Sequence, residues 1–286
     1  MLISIIIPTC NRKNLLAECL IRLSPEIQNV NPDIYEIWVS DDSKDDSIEL
    51  LIRENYKRVK YIDGPKKGPS ANRNNGAKQA KGDWLIFIDD DCLPDANLIN
   101  SYSKAINLNK NILVFEGCIK SDRDQRSFTE GSPVNEIGGY LWACNFMINR
   151  FFFLNTLKGF DQNFPHAAME DVDLNYRIFK LNIPILFLKE SFVVHPYRIQ
   201  EKMHSITKKR FQSTLYFVKK HPEKQKEINA KYFFRLFLLD IKSLLRNAFK
   251  YNFRGITGKF VESFLHLYFS FYLIFYKMKG SLHNNG

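Results

Sequence analysis

Three consecutive aspartates follow an uninterrupted apolar run in the stretch GDWLIFIDDDC, residues 82–92. The run has the composition of a strand that is buried on both faces, as in a parallel sheet. The carboxylates of Asp89, Asp90 and Asp91 repel one another, because neighbouring like charges raise the cost of ionising each of them. A positive partner is therefore expected beside them. The alternative is a solvated acidic turn that caps a helix opening at Pro94.

Two other predicted strands also end in polar residues. The strand at 3–8 is followed by Thr9, and the strand at 35–43 carries Asp41 and Asp42 near its end. In a parallel α/β sheet, ligands bind beyond the carboxyl ends of the strands, near the switch in strand order. These strand ends therefore predict a crevice for a polar ligand. No GxGxxG follows the first strand and no P-loop motif is present, which disfavours those two kinds of nucleotide site.

The segment 66–82, KKGPSANRNNGAKQAKG, predicts a helix that starts after Gly68 and has Arg73 in its first turn. A helix N-terminus with free N–H groups and an Arg suits a diphosphate. An ordinary surface helix capped by Ser70 is the alternative interpretation.

A further group of candidates lies later in the chain. Glu170, Asp171 and Asp173 stand at the start of a predicted helix, and His195 follows a short predicted strand. Acids in a first turn are stabilised by the helix dipole, so dipole complementarity alone explains their position. A histidine with a structural role is likewise the simplest interpretation of His195 taken by itself.

Strand and helix signals alternate through the first two thirds of the chain, and these elements must position the candidate residues. Strands are predicted at 3–8, 35–43, 58–63, 84–89 and 112–117, and helices at 12–23, 45–55, 70–80, 94–107 and 171–181. Strands separated by helices of this length form a right-handed, doubly wound sheet. The predicted fold class is therefore α/β, with a mostly parallel sheet flanked by helices.

The charge of the chain is unevenly distributed. The 286 residues carry a net charge of +10, with 45% hydrophobic and 25% charged residues, which is typical of a globular protein. Residues 198–286 hold 18 Lys and Arg against 5 Asp and Glu, whereas residues 1–197 hold 23 against 26. The basic tail therefore indicates an anionic partner, either nucleic acid or membrane phosphates.

The cysteines and the N-terminus bear on the compartment. The five cysteines are scattered and form no CxxC pair, which favours reduced thiols in a cytosol and argues against a disulfide framework or a zinc site. The N-terminal MLISIIIPT has no basic leading segment and reaches Pro8 after seven residues, so it predicts a first strand and not a signal peptide.

The C-terminal region combines basic and aromatic residues. Segments 204–224 and 230–255 predict basic amphipathic helices, and 263–276 is an uncharged run that ends before Lys277 and Lys279. A bilayer span takes about 20 residues, so this run is too short to cross one. Basic helices with aromatic faces fit docking at a membrane interface. The alternative is a helical subdomain that packs on the rest of the chain or on a second copy.

Taken in order, the motifs resemble those of the inverting glycosyltransferases of family 2, which have the glycosyltransferase A fold and use nucleotide-diphosphate sugars. The resemblance covers roughly residues 2–198 and rests on the segments ISIIIPTCNR, VSDDS, GPSANRNNGAKQAKGDWLIFIDDDC, LWACNFMINR, GFDQNF with MEDVDLNYRIF, and VVHP. It implies a catalytic, nucleotide-sugar-binding domain over residues 1–198. Residues 199–286 are then a helical basic and aromatic region.

The resemblance implies a divalent cation, Mn²⁺ or Mg²⁺, held by Asp89, Asp91 and His195. Oxygen ligands with one imidazole suit either ion, which would stabilise the leaving nucleoside diphosphate. Because the motif is a triplet, Asp90 with Asp91 is an equally open ligand pair. In the first pairing, Asp90 would face the ribose or neighbour the metal ligands.

The other implied roles concern the donor and the acceptor. Asp41 and Asp42 match an acidic pair that recognises the base, with Thr9 beside it, and Arg73 would reach the nucleotide or phosphate. Asp171 matches the base that removes the acceptor hydroxyl proton during in-line attack on the anomeric carbon.

Three neighbouring residues have weaker implied roles. Glu170 would raise the basicity of Asp171 by repulsion. Trp142, after a Gly-Gly pair, would either stack on sugar or acceptor or pack in the core. His166 is interpreted as a loop residue rather than a substrate contact.

The predicted function is that of a bacterial-type, hexosyltransferase-like enzyme that moves one sugar, with a UDP-sugar as the expected donor. The acceptor would be a hydroxyl of a cell-surface polysaccharide or a lipid-linked oligosaccharide. The enzyme would be cytoplasmic and peripheral on the inner face of the membrane, and a homo-oligomer is an open option. The alternatives are a transferase that loads sugar onto polyprenyl phosphate and a nucleic-acid-binding protein. The last is disfavoured, because the tail has no zinc finger or RRM motif.

Overall fold

The computed structural model describes residues 2–283, with side chains described as far as residue 275. Residues 284–286 of the predicted C-terminal region, and the side chains of Lys277 and Lys279, lie outside that part. The chain divides into two compact units. Unit 1 comprises Met1–Asp122, Ser132–Asn163 and Glu170–Pro196, and unit 2 comprises Arg123–Gly131, Phe164–Met169 and Tyr197–Gly286.

Unit 1 is built on an eight-stranded mixed sheet. Its strands are β1 (Ile3–Thr9), β2 (Tyr35–Asp41), β3 (Val59–Asp63), β4 (Trp84–Ile88), β5 (Leu93–Pro94), β6 (Val114–Ser121), β8 (Asn145–Asn149) and β9 (Ile185–His195). The spatial order is β3-β2-β1-β4-β8-β6-β9-β5. The pairs among β1–β4 and the pair β6–β9 are parallel, whereas β8 is antiparallel to both β4 and β6, and β5 is antiparallel to β9.

Helices flank this sheet and connect its strands. They are α1 (Lys13–Arg22), α2 (Pro25–Gln28), α3 (Ser47–Asn55), α4 (Pro69–Gln79), α5 (Leu98–Leu108) and α6 (Glu170–Lys180), with a 3₁₀ turn at Pro32–Ile34 and a π-helical turn at Phe152–Thr156. All seven residues of β1 are buried, with Ile5 and Ile7 in one apolar cluster and Ile6 in the other. Because successive side chains point to opposite faces, both faces of the sheet carry core.

All five predicted strands and all five predicted helices form, with shifted ends. The helix predicted at 94–107 begins instead at Leu98, because residues 93 and 94 form the short strand β5. β8 and the first part of β9 were not predicted, so the sheet is less uniformly parallel than the alternating pattern indicates.

Unit 2 holds the C-terminal helices α7 (Met203–Lys220), α8 (Ala230–Asn247) and α9 (Ile256–His283), a 3₁₀ turn at Pro222–Lys226, and the small sheet of β7 (Glu130–Gly131) with β10 (Arg198–Ile199). Phe211 of α7 stacks on Phe269 of α9 at 3.8 Å between ring centroids. Asp240 of α8 accepts hydrogen bonds from Lys259 Nζ at 2.6 Å and pairs with His266 Nδ1 at 2.7 Å. Within residues 2–283, no helix has the length and apolar character that crossing a bilayer requires.

Candidate functional site

The carboxyl ends of β1, β2 and β4 lie side by side in unit 1. Thr9 is the register partner of Asp41 across β1 and β2. The Thr9 hydroxyl donates to Asp90 Oδ2 at 2.8 Å, just beyond the end of β4. The sheet therefore brings together the three polar strand ends that the sequence predicted to line one crevice.

Asp41 and Asp42 are held by the backbone around them. Asp41, 2% exposed, accepts hydrogen bonds from the backbone N–H and the hydroxyl of Ser43. Burial raises the pKa of Asp41 above its usual value. Asp42 accepts from the N–H groups of Lys66 at 2.8 Å and Gly68 at 3.2 Å. A Cβ at Gly64 would lie 2.2 Å from Asp42 Oδ1 and 2.8 Å from the backbone carbonyl carbon of Asp41, so only glycine fits there.

The helix α4 is not the capped surface helix of the alternative interpretation. Gly68 is its N-cap residue with φ 87°, and no side chain caps it. Two of its asparagines bind the strand ends: the buried Asn72 donates to the Thr9 carbonyl at 3.1 Å, and the half-buried Asn75 donates to the Asp63 carbonyl at 2.8 Å. α4 therefore fixes the loops at the carboxyl edge of the sheet.

The positive partners expected beside the acidic triplet are supplied by the chain itself. Arg73 Nη2 lies 2.6 Å from Asp89 Oδ1. Arg12 Nη1 lies 3.0 Å from Asp90 Oδ1 and 3.2 Å from Asp91 Oδ2. Burial raises the pKa of Asp90 to about 6, although Arg12 and Thr9 act in the opposite direction. The solvated-turn interpretation is wrong, because Asp90 and Asp91 are 2% and 8% exposed.

Arg73 joins the two groups of acids. It is 5% exposed, its Nη1 lies 3.6 Å from Glu170 Oε1, and its guanidinium carbon lies 5.6 Å from the centre of the Phe160 ring. Its charge is therefore shared between Asp89 after β4 and Glu170 at the start of α6. The predicted contact between Arg73 and the nucleotide remains a prediction.

Asp91 and His195 meet because β5 pairs with the end of β9. Leu93 is the register partner of Val194, which precedes His195. His195 Nε2 lies 3.3 Å from Asp91 Oδ1, and Nδ1 lies 3.1 Å from the Pro196 carbonyl oxygen. Because a carbonyl only accepts, Nδ1 carries the proton in that contact. Burial lowers the pKa of His195, but Asp91 outweighs it and the pKa lies above its usual value.

The donor atoms at this point fit a divalent cation. The ligand atoms of Asp91, Cys92 and His195 all lie within 4.8 Å of one another. Cys92 donates its S–H to the Cys144 carbonyl at 3.7 Å, and burial raises its thiol pKa well above the usual value, so it stays protonated. A carboxylate with an imidazole, which must lose its second ring proton to bind a metal, is a donor set that suits Mn²⁺. Asp89, which pairs with Arg73, is not part of that close group.

Asp171 stands in the first turn of α6, directly after Glu170. Met169 before them adopts φ 73°, a conformation that is uncommon for residues other than glycine. Asp171 Oδ1 accepts from the Val172 N–H at 2.8 Å. Asp171 is partly exposed at the surface, but the atoms packed around its carboxyl desolvate it, and this raises its pKa. A raised pKa makes the carboxylate a better proton acceptor.

The neighbouring acid Asp173 has a different role. It is fully buried, and Oδ2 accepts from Arg177 Nε at 2.8 Å. Arg177 in turn donates to the carbonyl oxygens of Leu157 and Gly159 at 2.6 and 2.8 Å. Asp173 therefore orients Arg177, which holds α6 to the loop before it.

Two aromatic and loop residues are also located. Trp142 is half-buried against one apolar cluster, with its ring 5.4 Å from that of Tyr140, which supports the packing interpretation. His166, within unit 2, places Nε2 2.6 Å from Gln212 Oε1 of α7. His166 is thus a loop residue with a partner on α7.

Glu170 should make stability depend on pH. Burial raises its pKa from 4.5 to about 7, with Arg73 acting in the opposite direction. The folded state then binds more protons than the unfolded state between these values, so the free energy of unfolding should fall as pH rises through that window. In Glu170→Gln, the decrease in the free energy of unfolding over this pH range should be smaller by about 1–3 kcal/mol. Chemical denaturation at several pH values between about 5 and 8 measures it; equal slopes for both proteins would contradict the assignment.

The fold and the site define the class of the chain as an α/β protein with acidic side chains at the carboxyl edge of a mixed, eight-stranded sheet. The amino-acid sequence then gives the family. Residues 4–167 match the family described as Glycosyl transferase family 2. The chain belongs to this family, as predicted.

Individual relatives support the same placement. Validoxylamine A glucosyltransferase of Streptomyces hygroscopicus subsp. limoneus is 28% identical over 266 residues, which cover 77% of this chain and 57% of the relative. The GalNAc(5)-diNAcBac-PP-undecaprenol beta-1,3-glucosyltransferase of Campylobacter jejuni is 38% identical over 94 residues, 31% of this chain and 29% of the relative. The chain thus spans less than two thirds of the length of these curated relatives.

Solved structures show the same fold. S. aureus TarS residues 1–349 in complex with UDP matches with a TM-score of 0.56 at 20% identity, covering 75% of this chain and 66% of that TarS 1–349 chain. Mannosyltransferase PcManGT from Pyrobaculum calidifontis, in complex with GDP-Man and Mn²⁺, matches with a TM-score of 0.56 at 17% identity, covering 76% of this chain and 64% of the other. The predicted fold class, glycosyltransferase A with a C-terminal helical extension, is confirmed.

Proposed function

We propose that this chain is an inverting glycosyltransferase that moves a sugar from a nucleoside-diphosphate sugar, with UDP as the expected nucleotide, to a hydroxyl of a glycan or lipid-linked acceptor. The observation that carries the proposal is the grouping, within unit 1 of a family 2 chain, of Asp91 with His195 and of Arg73 with both Asp89 and Glu170. The TarS structures with UDP and UDP-GlcNAc and the undecaprenol-linked substrate in the name of the Campylobacter relative support this choice of donor and acceptor.

In this proposal the carboxyl edge of the sheet binds the nucleotide. Asp41 and Asp42 bind the base, with Thr9 beside them, and Asp90 contributes toward the ribose. The backbone bonds that hold Asp41 and Asp42 fix their oxygens before the donor arrives, which reduces the ordering that binding requires. A preorganised edge of this kind favours one base over another.

Asp91 and His195 would hold Mn²⁺ or Mg²⁺. When bound, the cation supplies positive charge where the leaving diphosphate develops negative charge. The Pro196 carbonyl fixes the imidazole orientation through Nδ1, which leaves Nε2 directed at Asp91. Asp89, bound to Arg73, would act beside this pair rather than within it.

Asp171 would accept the proton of the acceptor hydroxyl. Inversion needs one carboxylate on the face opposite the leaving group, and Asp171 is the more exposed member of the Glu170–Asp171 pair. Glu170 is buried beside Arg73, where it would position the pair.

A donor panel tests the proposal. UDP-, GDP- and dTDP-sugars are compared by thermal shift with and without Mn²⁺, followed by release of nucleoside diphosphate with and without oligosaccharide and polyprenyl-phosphate acceptors. Stabilisation and turnover with one UDP-sugar and a glycan hydroxyl support the main proposal. Turnover with polyprenyl phosphate alone supports the alternative transferase, and the absence of any donor effect contradicts both.

Unit 2 is proposed to dock on the anionic inner surface of the cytoplasmic membrane. One face of α8 alternates exposed apolar and basic side chains; this α8 face consists of Lys231, Phe234, Arg235, Leu238, Lys242, Leu245 and Arg246. Phe234, Leu238 and Leu245 are 44%, 50% and 79% exposed. Each Lys or Arg near an anionic surface contributes about 1 kcal/mol, and the apolar side chains add a contribution that salt does not screen.

Vesicle flotation checks this docking. Wild type should bind phosphatidylcholine vesicles only when they contain anionic lipid, and high salt should weaken the binding without abolishing it. Leu238→Ser with Leu245→Ser should lower binding about tenfold or more, because both side chains leave the bilayer interface. Point changes are preferred to removal of α9, since Phe269 belongs to the core of unit 2.

The control is Leu108→Ser in unit 1, at a leucine that is 82% exposed. It should bind vesicles like wild type. If wild type does not bind anionic vesicles at low salt and the α8 double change instead dissociates a dimer, the α8 face is an oligomer contact and the membrane proposal is wrong.

A further inference from the structure

Arg12 lies where it partly neutralises the acidic cluster. One nitrogen, Nη1, contacts Asp90 Oδ1 at 3.0 Å and Asp91 Oδ2 at 3.2 Å. The other oxygen of Asp91, Oδ1, faces His195 Nε2 at 3.3 Å. The carboxylate of Asp91 is thus divided between a guanidinium and the imidazole.

The local backbone sets this position. Arg12 is the N-cap residue of α1, and Asn11 before it adopts φ 55°, a left-handed conformation that Asn tolerates better than most residues. The Asn11 N–H donates to the Ser43 hydroxyl at 2.7 Å, which ties the turn to the loop after β2. The turn after β1 therefore directs the Arg12 side chain toward the acids.

Arg12 differs from Arg73 in its freedom to move. The Arg12 side chain is 48% exposed, whereas that of Arg73 is 6% exposed beneath Phe160. A half-exposed guanidinium regains water when it leaves, whereas the buried carboxylates of Asp90 and Asp91 then need another cation beside them. The buried guanidinium of Arg73 cannot exchange its carboxylate partners for water in this way. Arg73 is therefore a fixed partner of the acids, and Arg12 is an exchangeable one.

A divalent cation between Asp91 and His195 would place two further positive charges beside the Arg12 guanidinium. The two cations compete for one carboxylate, and repulsion between them disfavours their joint presence. A nucleoside diphosphate changes this balance, since its phosphates bring negative charge for both cations at the same site.

We propose that Arg12 is an internal counter-cation that holds Asp91 until the donor binds, so that the divalent metal binds weakly by itself and tightly together with nucleoside diphosphate. The proposal deepens the proposed function, since it rests on the metal site at Asp91 and His195. It makes Arg12 a positioning residue that sets metal affinity and the coupling between metal and nucleotide. By linkage, the same coupling makes UDP bind more tightly when Mn²⁺ is present.

Measurement of free Mn²⁺ by electron paramagnetic resonance, with and without UDP, tests this. Arg12→Gln removes the charge at a half-exposed position, so the fold should tolerate it. Without UDP, this variant should bind Mn²⁺ about tenfold more tightly than wild type, a change of about 1.4 kcal/mol. With UDP present, the difference in Mn²⁺ affinity between the variant and wild type should be smaller. The gain in Mn²⁺ affinity that UDP produces should therefore be smaller in the variant than in wild type.

Two further variants serve as controls. Arg12→Lys keeps the charge and should stay within about threefold of wild type, a spread expected for a retained ion pair. Arg22→Gln makes the same chemical change at the exposed far end of α1 and should not alter Mn²⁺ affinity.

The inference is overturned if Arg12→Gln binds Mn²⁺ alone no more tightly than wild type, or if Arg12→Lys gains as much as Arg12→Gln. If either of these results is obtained while Mn²⁺ still binds normally in the presence of UDP, only the role of Arg12 is wrong, and the proposed metal site at Asp91 and His195 stands. If wild type and all variants fail to bind Mn²⁺ even with UDP, the metal site itself is wrong, and the role of Arg12 is overturned with it.

Discussion

Replacing Asp171 with Asn should lower turnover by about 10²–10⁴-fold, the range that general bases contribute elsewhere. The base acts on the acceptor hydroxyl in the transition state and adds little to donor binding, so the dissociation constant for UDP-sugar should stay within a few-fold of wild type. The raised pKa of the Asp171 carboxyl favours proton acceptance, and Asn offers none. Steady-state turnover together with calorimetric donor binding separates the two effects.

A matched change gives the control for this prediction. Asp33, whose side chain is 83% exposed, lies at the opposite end of β2 from Asp41, and its change to Asn should leave turnover unaltered. Near-normal turnover of Asp171→Asn would contradict the assignment of Asp171 and would indicate Glu170 as the base. Asp173 is a poor substitute, because it is fully buried against Arg177.

Asp91→Asn should abolish the joint stabilisation by Mn²⁺ and UDP. In wild type, the two ligands together should raise the melting temperature more than the sum of their separate effects, because each stabilises the folded state according to its affinity and each raises the affinity of the other. Asn lacks the negative charge that a divalent cation needs. The loss of Mn²⁺ affinity should be at least about 10–100-fold, the loss that supporting residues of metal sites already produce.

Asp89→Asn provides the comparison, since Asp89 pairs with Arg73 and lies outside the Asp91–His195 pair. It should weaken the joint effect less than Asp91→Asn does. Synergy that survives in Asp91→Asn and disappears in Asp89→Asn would show that the ligand assignment is wrong.

Much of the fold follows from local pattern. Parallel strands such as β1 and β4 are buried on both faces, so they appear in the sequence as continuous apolar runs. The local sequence does not predict the strand β8, because NFMIN follows a Gly-rich, aromatic stretch without an intervening helix. Its pairing with β4 and β6 depends on contacts between segments far apart in the chain.

The sequence likewise indicated the main residues of the site but not the contacts between them. The acids and His195 were named from their positions after strands and at a helix start, and the structure groups them within unit 1. The sequence did not reveal the partners of these residues: Arg12 and Ser43 were placed at the ends of the first two strands but given no role, and Gly64 was not singled out. Ion pairs such as Arg12 with Asp90 join residues 78 positions apart, and no local pattern reports them. Gly64 could have been suspected, since it lies between two polar segments next to a turn.

The two-residue strand β5 has a thermodynamic consequence. Asp91 and His195 are brought together by the pairing of Leu93 with Val194 and Pro94 with Val193, and Pro94 has no N–H to donate. So short a ladder holds little free energy of its own, and a slip of one residue would shift the strand by about 3.3 Å and reverse its faces. The affinity of the proposed cation site would therefore include the free energy of keeping β5 paired with β9. Substitutions that strengthen this pairing would raise cation affinity without touching a ligand.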